Sequence, residues 1–169
     1  MKHTKKLVIS ALFAALAFVA TRFFAFPLPL GYGYANLGDC FAFLAGFCLG
    51  GPWGAAAAGV GISLADILSP YIIYAPVTFV IKALIALCGA LAVKFVKNNK
   101  LDIAIIAAFS VLGEAIMVLG YLLFELAIYG TSAILSVPGN LTQAGVGIVT
   151  STLLAVIFAK NKKLRELLR

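Results

Sequence analysis

Six ionisable side chains stand inside runs that are otherwise apolar: Arg22, Asp39, Asp66, Lys82, Glu114 and Glu125. In hydrocarbon a single charge costs from about 2.5 kcal/mol upward, so such groups face a bundle interior, pair with one another or line a polar cavity. Uncharged polar groups fall in the same stretches, namely Asn36, Asn140 and Gln143, with Tyr32, Tyr34, Tyr71, Tyr74 and Tyr121. Together these residues can do recognition chemistry. Tyrosine rings stack on a small planar ligand, while amide and charged groups fix its polar edges. The competing reading is that Arg22, Asp39, Asp66 and Lys82 merely neutralise one another and hold helices together.

The elements that position them follow from composition. Of 169 residues, 63% are hydrophobic and 11% charged, and the mean hydropathy is +1.10. A soluble domain cannot hide that much apolar surface, so the chain is read as an all-α integral membrane protein of one domain, residues 1–169. A crossing takes roughly 20 helical residues, which leaves room for a six-helix bundle and no soluble module. The predicted spans are about 7–26, 37–50, 53–68, 73–95, 102–129 and 138–159. Pro27 and Pro29 end the first, residues 27–36 form a turn-rich loop, and Gly50, Gly51 and Pro52 make a turn. The second span is short and reads as buried or strongly packed. Pro76 sits in the first turn of the fourth, where proline is tolerated. The terminal KNKKLRELLR reads as a basic interfacial helix.

Eleven of the 13 Lys and Arg residues fall in the two termini and the turn after the fourth span. By the positive-inside pattern that side is cytoplasmic, with both termini on it. The apolar N-terminal run is longer than a typical signal core, so it is read as a retained helix. Placed by depth, the six charges lie in the outer half, except Glu114 near the middle. The inner half is almost purely apolar, so the charges imply one shared pocket open to the outside and capped by the 27–36 loop.

Other chemistries lack their residues. The basic groups sit in patches between apolar runs, which is not the pattern of a nucleic-acid surface. Cys40, Cys48 and Cys88 form no CxxC pair, and the only histidine is His3, so neither a metal site nor a histidine triad is expected. Ser63, Ser69 and Ser110 have no base partner. Gly31-Tyr32-Gly33 and Gly59-Val60-Gly61 lack the residues of a phosphate loop. No catalytic residue and no cofactor are expected. Ala11 and Ala15, four apart on one helix face, allow close packing of another helix, internal or external.

In order and spacing, the chain resembles the S components, the substrate-capture subunits of energy-coupling factor (ECF) vitamin transporters, and in particular the riboflavin-type group. The resemblance rests on SALFAALAF with Ala11 and Ala15, YANLGD at 34–39, GxGxxLAD at 59–66, YAPVTFVIK at 74–82 and VPGNLTQ at 137–143. It implies a six-helix bundle in a bacterial-type plasma membrane that captures a vitamin from outside. The implied partners are a transmembrane coupling subunit, met by Ala11 and Ala15, and two cytoplasmic ATPases. It also implies that the loaded bundle rotates in the membrane to deliver its ligand.

The expected ligand contacts are Lys82, Tyr121, Glu125, Asn140 and Gln143, with Tyr34, Tyr74 and Glu114 in the same pocket and Asn36, Asp39 and Asp66 lining or positioning it. The charge set sums to minus two, which disfavours a phosphorylated ligand. A vitamin B6 (pyridoxine-type) molecule or hydroxymethylpyrimidine suits tyrosine stacking, with riboflavin next. The alternative is a stand-alone proton-coupled transporter using Glu114 or Asp66; a purely structural subunit would bind nothing.

Overall fold

The computed structural model describes residues 3–27, 34–97 and 102–161. Among them are six α-helices: α1 (His3–Phe23), α2 (Gly38–Leu49), α3 (Gly51–Ile67), α4 (Ala75–Phe95), α5 (Asp102–Tyr129) and α6 (Val137–Lys160). Short 3₁₀ segments at Ile72–Tyr74 and Gly130–Ser136 lead into α4 and α6. Three helical stretches are long and apolar enough to cross a membrane: His3–Phe23, Ile72–Phe95 and the α5–α6 stretch Asp102–Lys160. Large apolar side chains are exposed around the outside of the bundle, such as Val8, Leu84, Leu119, Leu123 and Val149. That inverts the surface of a water-soluble domain and matches a lipid-facing one.

Three boundaries differ from expectation. Helix α1 stops at Phe23, not 26, because Ala25–Pro27 (β1) pairs antiparallel with Tyr34–Asn36 (β2), in register Ala25↔Asn36 and Pro27↔Tyr34. Pro27 drives the residue before it out of helix, and the ladder then satisfies backbone groups that an open loop would leave bare. The rest of the expected capping loop, with Tyr32, lies outside the described residues, as does nearly all of the C-terminal basic segment. The turn expected at 50–52 shrinks to Gly50 alone (φ +82°), and Pro52 occupies the first turn of α3, where its missing N–H has no intrahelical partner in any case. The loop expected at 130–137 is the second 3₁₀ segment.

Helix α2 organises the bundle. It is only 12 residues long and almost wholly buried, with α1, α3, α4 and α6 packed around it. Small residues make that possible. A Cβ on Gly46 would overlap the Ala86 carbonyl of α4, and one on Gly54 would lie 2.5 Å from Gly46 Cα, so α2, α3 and α4 meet backbone to backbone. The buried position of α2 matters because its first turn carries Asp39.

Candidate functional site

Asp39 sits at the start of α2, where the exposed amide dipoles favour a negative charge. Asn36 sets up that start: its Oδ1 accepts the Gly38 N–H at 2.8 Å. From α4, Lys82 donates to Asp39 Oδ1 at 2.5 Å, and neither side chain is more than 1% exposed. From α6, Gln143 donates to the other carboxylate oxygen at 2.6 Å. The Lys82 ammonium also lies 5.2 Å from the centroid of the Tyr121 ring, a cation–π distance.

Helix α4 and the 3₁₀ residue just before it line this place with every fourth residue. Tyr74, Thr78 and Lys82 lie one turn apart and share a face. Thr78 exchanges a 3.0 Å hydrogen bond with the Tyr121 hydroxyl, and Asp66, at the end of α3, lies within reach of both Thr78 and Lys82. Tyr74 donates to Glu125 Oε1 at 3.2 Å, while Ser136 donates to Glu125 Oε2. The Tyr74 ring is 5.3 Å from Phe124 and 6.3 Å from Tyr121. Glu125 thus ties both 3₁₀ segments to α5.

Two polar atoms in this region are buried with no hydrogen-bond partner, Asn140 Nδ2 and Glu114 Oε2. Helices α5 and α6 run antiparallel in a register fixed by Glu125 on Ser136, Glu114 on Gly147 and Ser110 on Thr152. The same register sets Asn140 level with Tyr121. Gly147 is glycine because the Glu114 carboxyl occupies the place of its Cβ. Buried polar groups in native proteins are nearly always paired, with protein or with ordered water, so these two atoms have bonding capacity left for a water or a ligand; Ser10 Oγ and Ser151 Oγ are in the same state elsewhere in the bundle.

The structure therefore brings together Lys82, Asp39, Gln143, Tyr121, Asp66, Tyr74, Glu125, Asn140 and Glu114, and places Asn36 beneath them as a support. The side chain of Tyr34 lies outside the described residues. One expectation needs correction. The six charges do not all meet, because Arg22 is exposed at the end of α1 and lines a cleft whose lining includes Asp66 but not Asp39, Lys82, Glu114 or Glu125. The half of α5 and α6 toward Asp102 and Lys160, almost purely apolar as expected, buries Ser110 and Ser151 at 1% exposure. A helix of mixed Ser, Thr and Leu hides such groups from a hydropathy reading, since they are inexpensive beside a neighbouring helix. Thr78, Phe124 and Ser136 were missed as site residues, although the 74/78/82 spacing was the available signal for Thr78. Ala11 and Ala15 are both exposed on α1, while Ser10, Phe13 and Ala17 turn inward.

The family described as ECF-type riboflavin transporter, S component, matches residues 1–160. An uncharacterised protein of Pyrococcus woesei, named for its place in the gap 3' region, is 32% identical over 144 residues, covering 85% of this chain and 94% of that one. The chain belongs to the S-component family of ECF-type riboflavin transporters, membrane subunits that bind a small vitamin and work with a separate coupling module.

Proposed function

We propose that this S component captures a small, planar, uncharged heteroaromatic vitamin or precursor from the outer face of a plasma membrane. A vitamin B6 (pyridoxine-type) molecule or hydroxymethylpyrimidine fits best, with riboflavin next. The observation that carries the reading is the pair of buried atoms without a partner among the described residues, Asn140 Nδ2 one turn from Gln143 on α6 and Glu114 Oε2 on the facing helix, in the bundle that holds the Lys82 ammonium against the Tyr121 ring. An amide donor and an ammonium offer hydrogen bonds to ring nitrogen, carbonyl or hydroxyl acceptors, and Tyr74, Tyr121 and Phe124 offer flat apolar faces. The surplus of carboxylates disfavours a phosphate ester.

In this reading each α-helix is one crossing, both termini are cytoplasmic, and the Tyr74–Glu125–Ser136 end faces outward. The exposed Ala11–Ala15 face of α1 docks on a transmembrane coupling subunit served by two cytoplasmic ATPases. The decisive experiment is native mass spectrometry of gently purified protein, followed by calorimetric titration with pyridoxine, pyridoxal, pyridoxamine, hydroxymethylpyrimidine, riboflavin and thiamine. A co-purifying vitamin, or tight one-to-one binding lost in Asn140→Ala, supports the reading. Absence of binding by all six, together with proton-driven uptake of another solute by the isolated protein in vesicles, sinks it in favour of a stand-alone transporter.

A further inference from the structure

A cleft of about 270 Å³ opens between the ends of α1 and α3, lined by Arg22 on one side and by Asp66, Ser69 and Tyr71 on the other. It approaches Asp66 from the α1 side, whereas Thr78 and Lys82 approach from α4. Asp66 is 5% exposed, and Arg22 is exposed at the rim. The two opposite charges line one cleft without forming an ion pair with each other. The turn between them is already satisfied, because Ser69 Oγ donates to the Asp66 carbonyl at 2.9 Å and accepts the Tyr71 N–H at 3.1 Å. What remains with bonding capacity is a guanidinium at one end and a carboxylate at the other.

Two charges of opposite sign that do not pair with each other across a cleft complement a ligand that carries both charges in the reverse order, the Asp66 carboxylate keeping acceptor capacity beyond its contact with Thr78. We infer that the cleft holds the zwitterionic headgroup of a phospholipid, with the phosphate on Arg22 and the ammonium toward Asp66. Guanidinium recognises phosphate oxygens by paired hydrogen bonds, and a cavity of this size accommodates a phosphate and a two-carbon amine. The surroundings favour a lipid over a dissolved zwitterion. The flanking side chains are exposed and apolar, with Phe23 at 70%, Leu68 at 59% and Ile72 at 60% exposure. Such a rim suits acyl chains, and helix ends carrying Arg and Tyr are where headgroups lie. The inference uses the proposed topology only to assign the site to the outer leaflet.

The test is retention of lipid by the full chain in mild detergent, read by native mass spectrometry with added dioleoyl-phosphatidylethanolamine, dioleoyl-phosphatidylglycerol or soluble phosphoethanolamine. Expected is one phosphatidylethanolamine per chain, preferred over phosphatidylglycerol by about fivefold, a ratio in keeping with one partly exposed charge contact. Arg22→Gln should lower its retention, Arg22→Glu abolish it, and Asp66→Asn remove the preference. Arg22 is outside the vitamin site, so both Arg22 variants should bind vitamin and unfold as the parent does, which separates loss of the lipid from loss of fold. Equal retention by wild type and Arg22→Glu, preference for phosphatidylglycerol, or displacement by millimolar phosphoethanolamine overturns the inference. Lipid retention without binding of any vitamin overturns the proposed function and leaves the lipid site standing.

Discussion

Breaking the Lys82–Asp39 pair separates a ligand pocket from helix glue. Both side chains are out of water, at 1% and 0% exposure, so deleting one charge leaves the other buried and uncompensated, at a cost of about 3–5 kcal/mol. Lys82→Met and Asp39→Leu should therefore each lower the unfolding temperature sharply. Replacing both at once removes the two desolvation penalties together, and such replacements are often neutral or stabilising. Gln143 loses its acceptor in that background, a residual cost of about 1–3 kcal/mol for a stranded amide, so the double variant should be more stable than either single one. Calorimetric titration of the folded double variant is the discriminating measurement. A ligand that takes a charge-assisted hydrogen bond from Lys82 should bind about 10- to 100-fold more weakly, the equivalent of roughly 1.5–3 kcal/mol. A double variant that binds with the parent's affinity would refute a ligand role for Lys82 and leave the pair as structural. Additive destabilisation of the two single substitutions would refute the pairing argument itself.

Gly147→Ala places a methyl group where the Glu114 carboxyl lies, and because a flexible side chain can swing aside it should destabilise by about 1 kcal/mol, the low end of overpacking costs; Glu114→Ala in the same chain should restore most of that in thermal unfolding. Asn140→Ala removes a buried amide nitrogen that has no partner among the described residues, so binding should weaken about tenfold with little change in melting temperature. Ser136→Ala and Tyr74→Phe each free one Glu125 oxygen and should speed ligand dissociation in stopped-flow fluorescence by loosening the 3₁₀ segments. Ala11→Trp with Ala15→Trp alters only an exposed face; vitamin affinity should stay within twofold, as is usual for surface sites of about 0.5 kcal/mol or less, while co-purification with the coupling subunit is lost.

The helices were readable because each is a long apolar run bounded by charge, glycine or proline, and hydropathy reports such runs directly. Helix α5 begins at Asp102 and ends at Tyr129, where the composition changes. The end of α1 was misplaced by three residues because nothing within 23–26 marks a strand: its partner at 34–36 lies across the chain, and pairing is a tertiary event. Lys82, Asp39 and Gln143 stood out as polar groups in apolar surroundings, which costs too much to be accidental. Thr78 did not, because a threonine is cheap in a membrane helix and shows its role only when the Tyr121 hydroxyl is found 3.0 Å away. The distance of Arg22 from the Lys82–Asp39 pair has a related cause: position along the bundle is legible in a sequence, and the azimuth of a helix around the bundle is not.

What the chain by itself determined is one-dimensional: that it is a membrane bundle, where its helices lie, and at what level its ionisable groups sit. Those properties follow from the transfer energy of each segment and need no knowledge of neighbours. Only the tertiary structure decided which groups meet. It joined both Lys82 and Gln143 to Asp39, used both oxygens of Glu125 on Tyr74 and Ser136, left Asn140 and Glu114 each with an atom unpaired among the described residues, and set Arg22 in a cleft beside Asp66. Those choices depend on helix rotation and on close approaches at Gly46 and Gly147, set by packing between segments far apart in sequence.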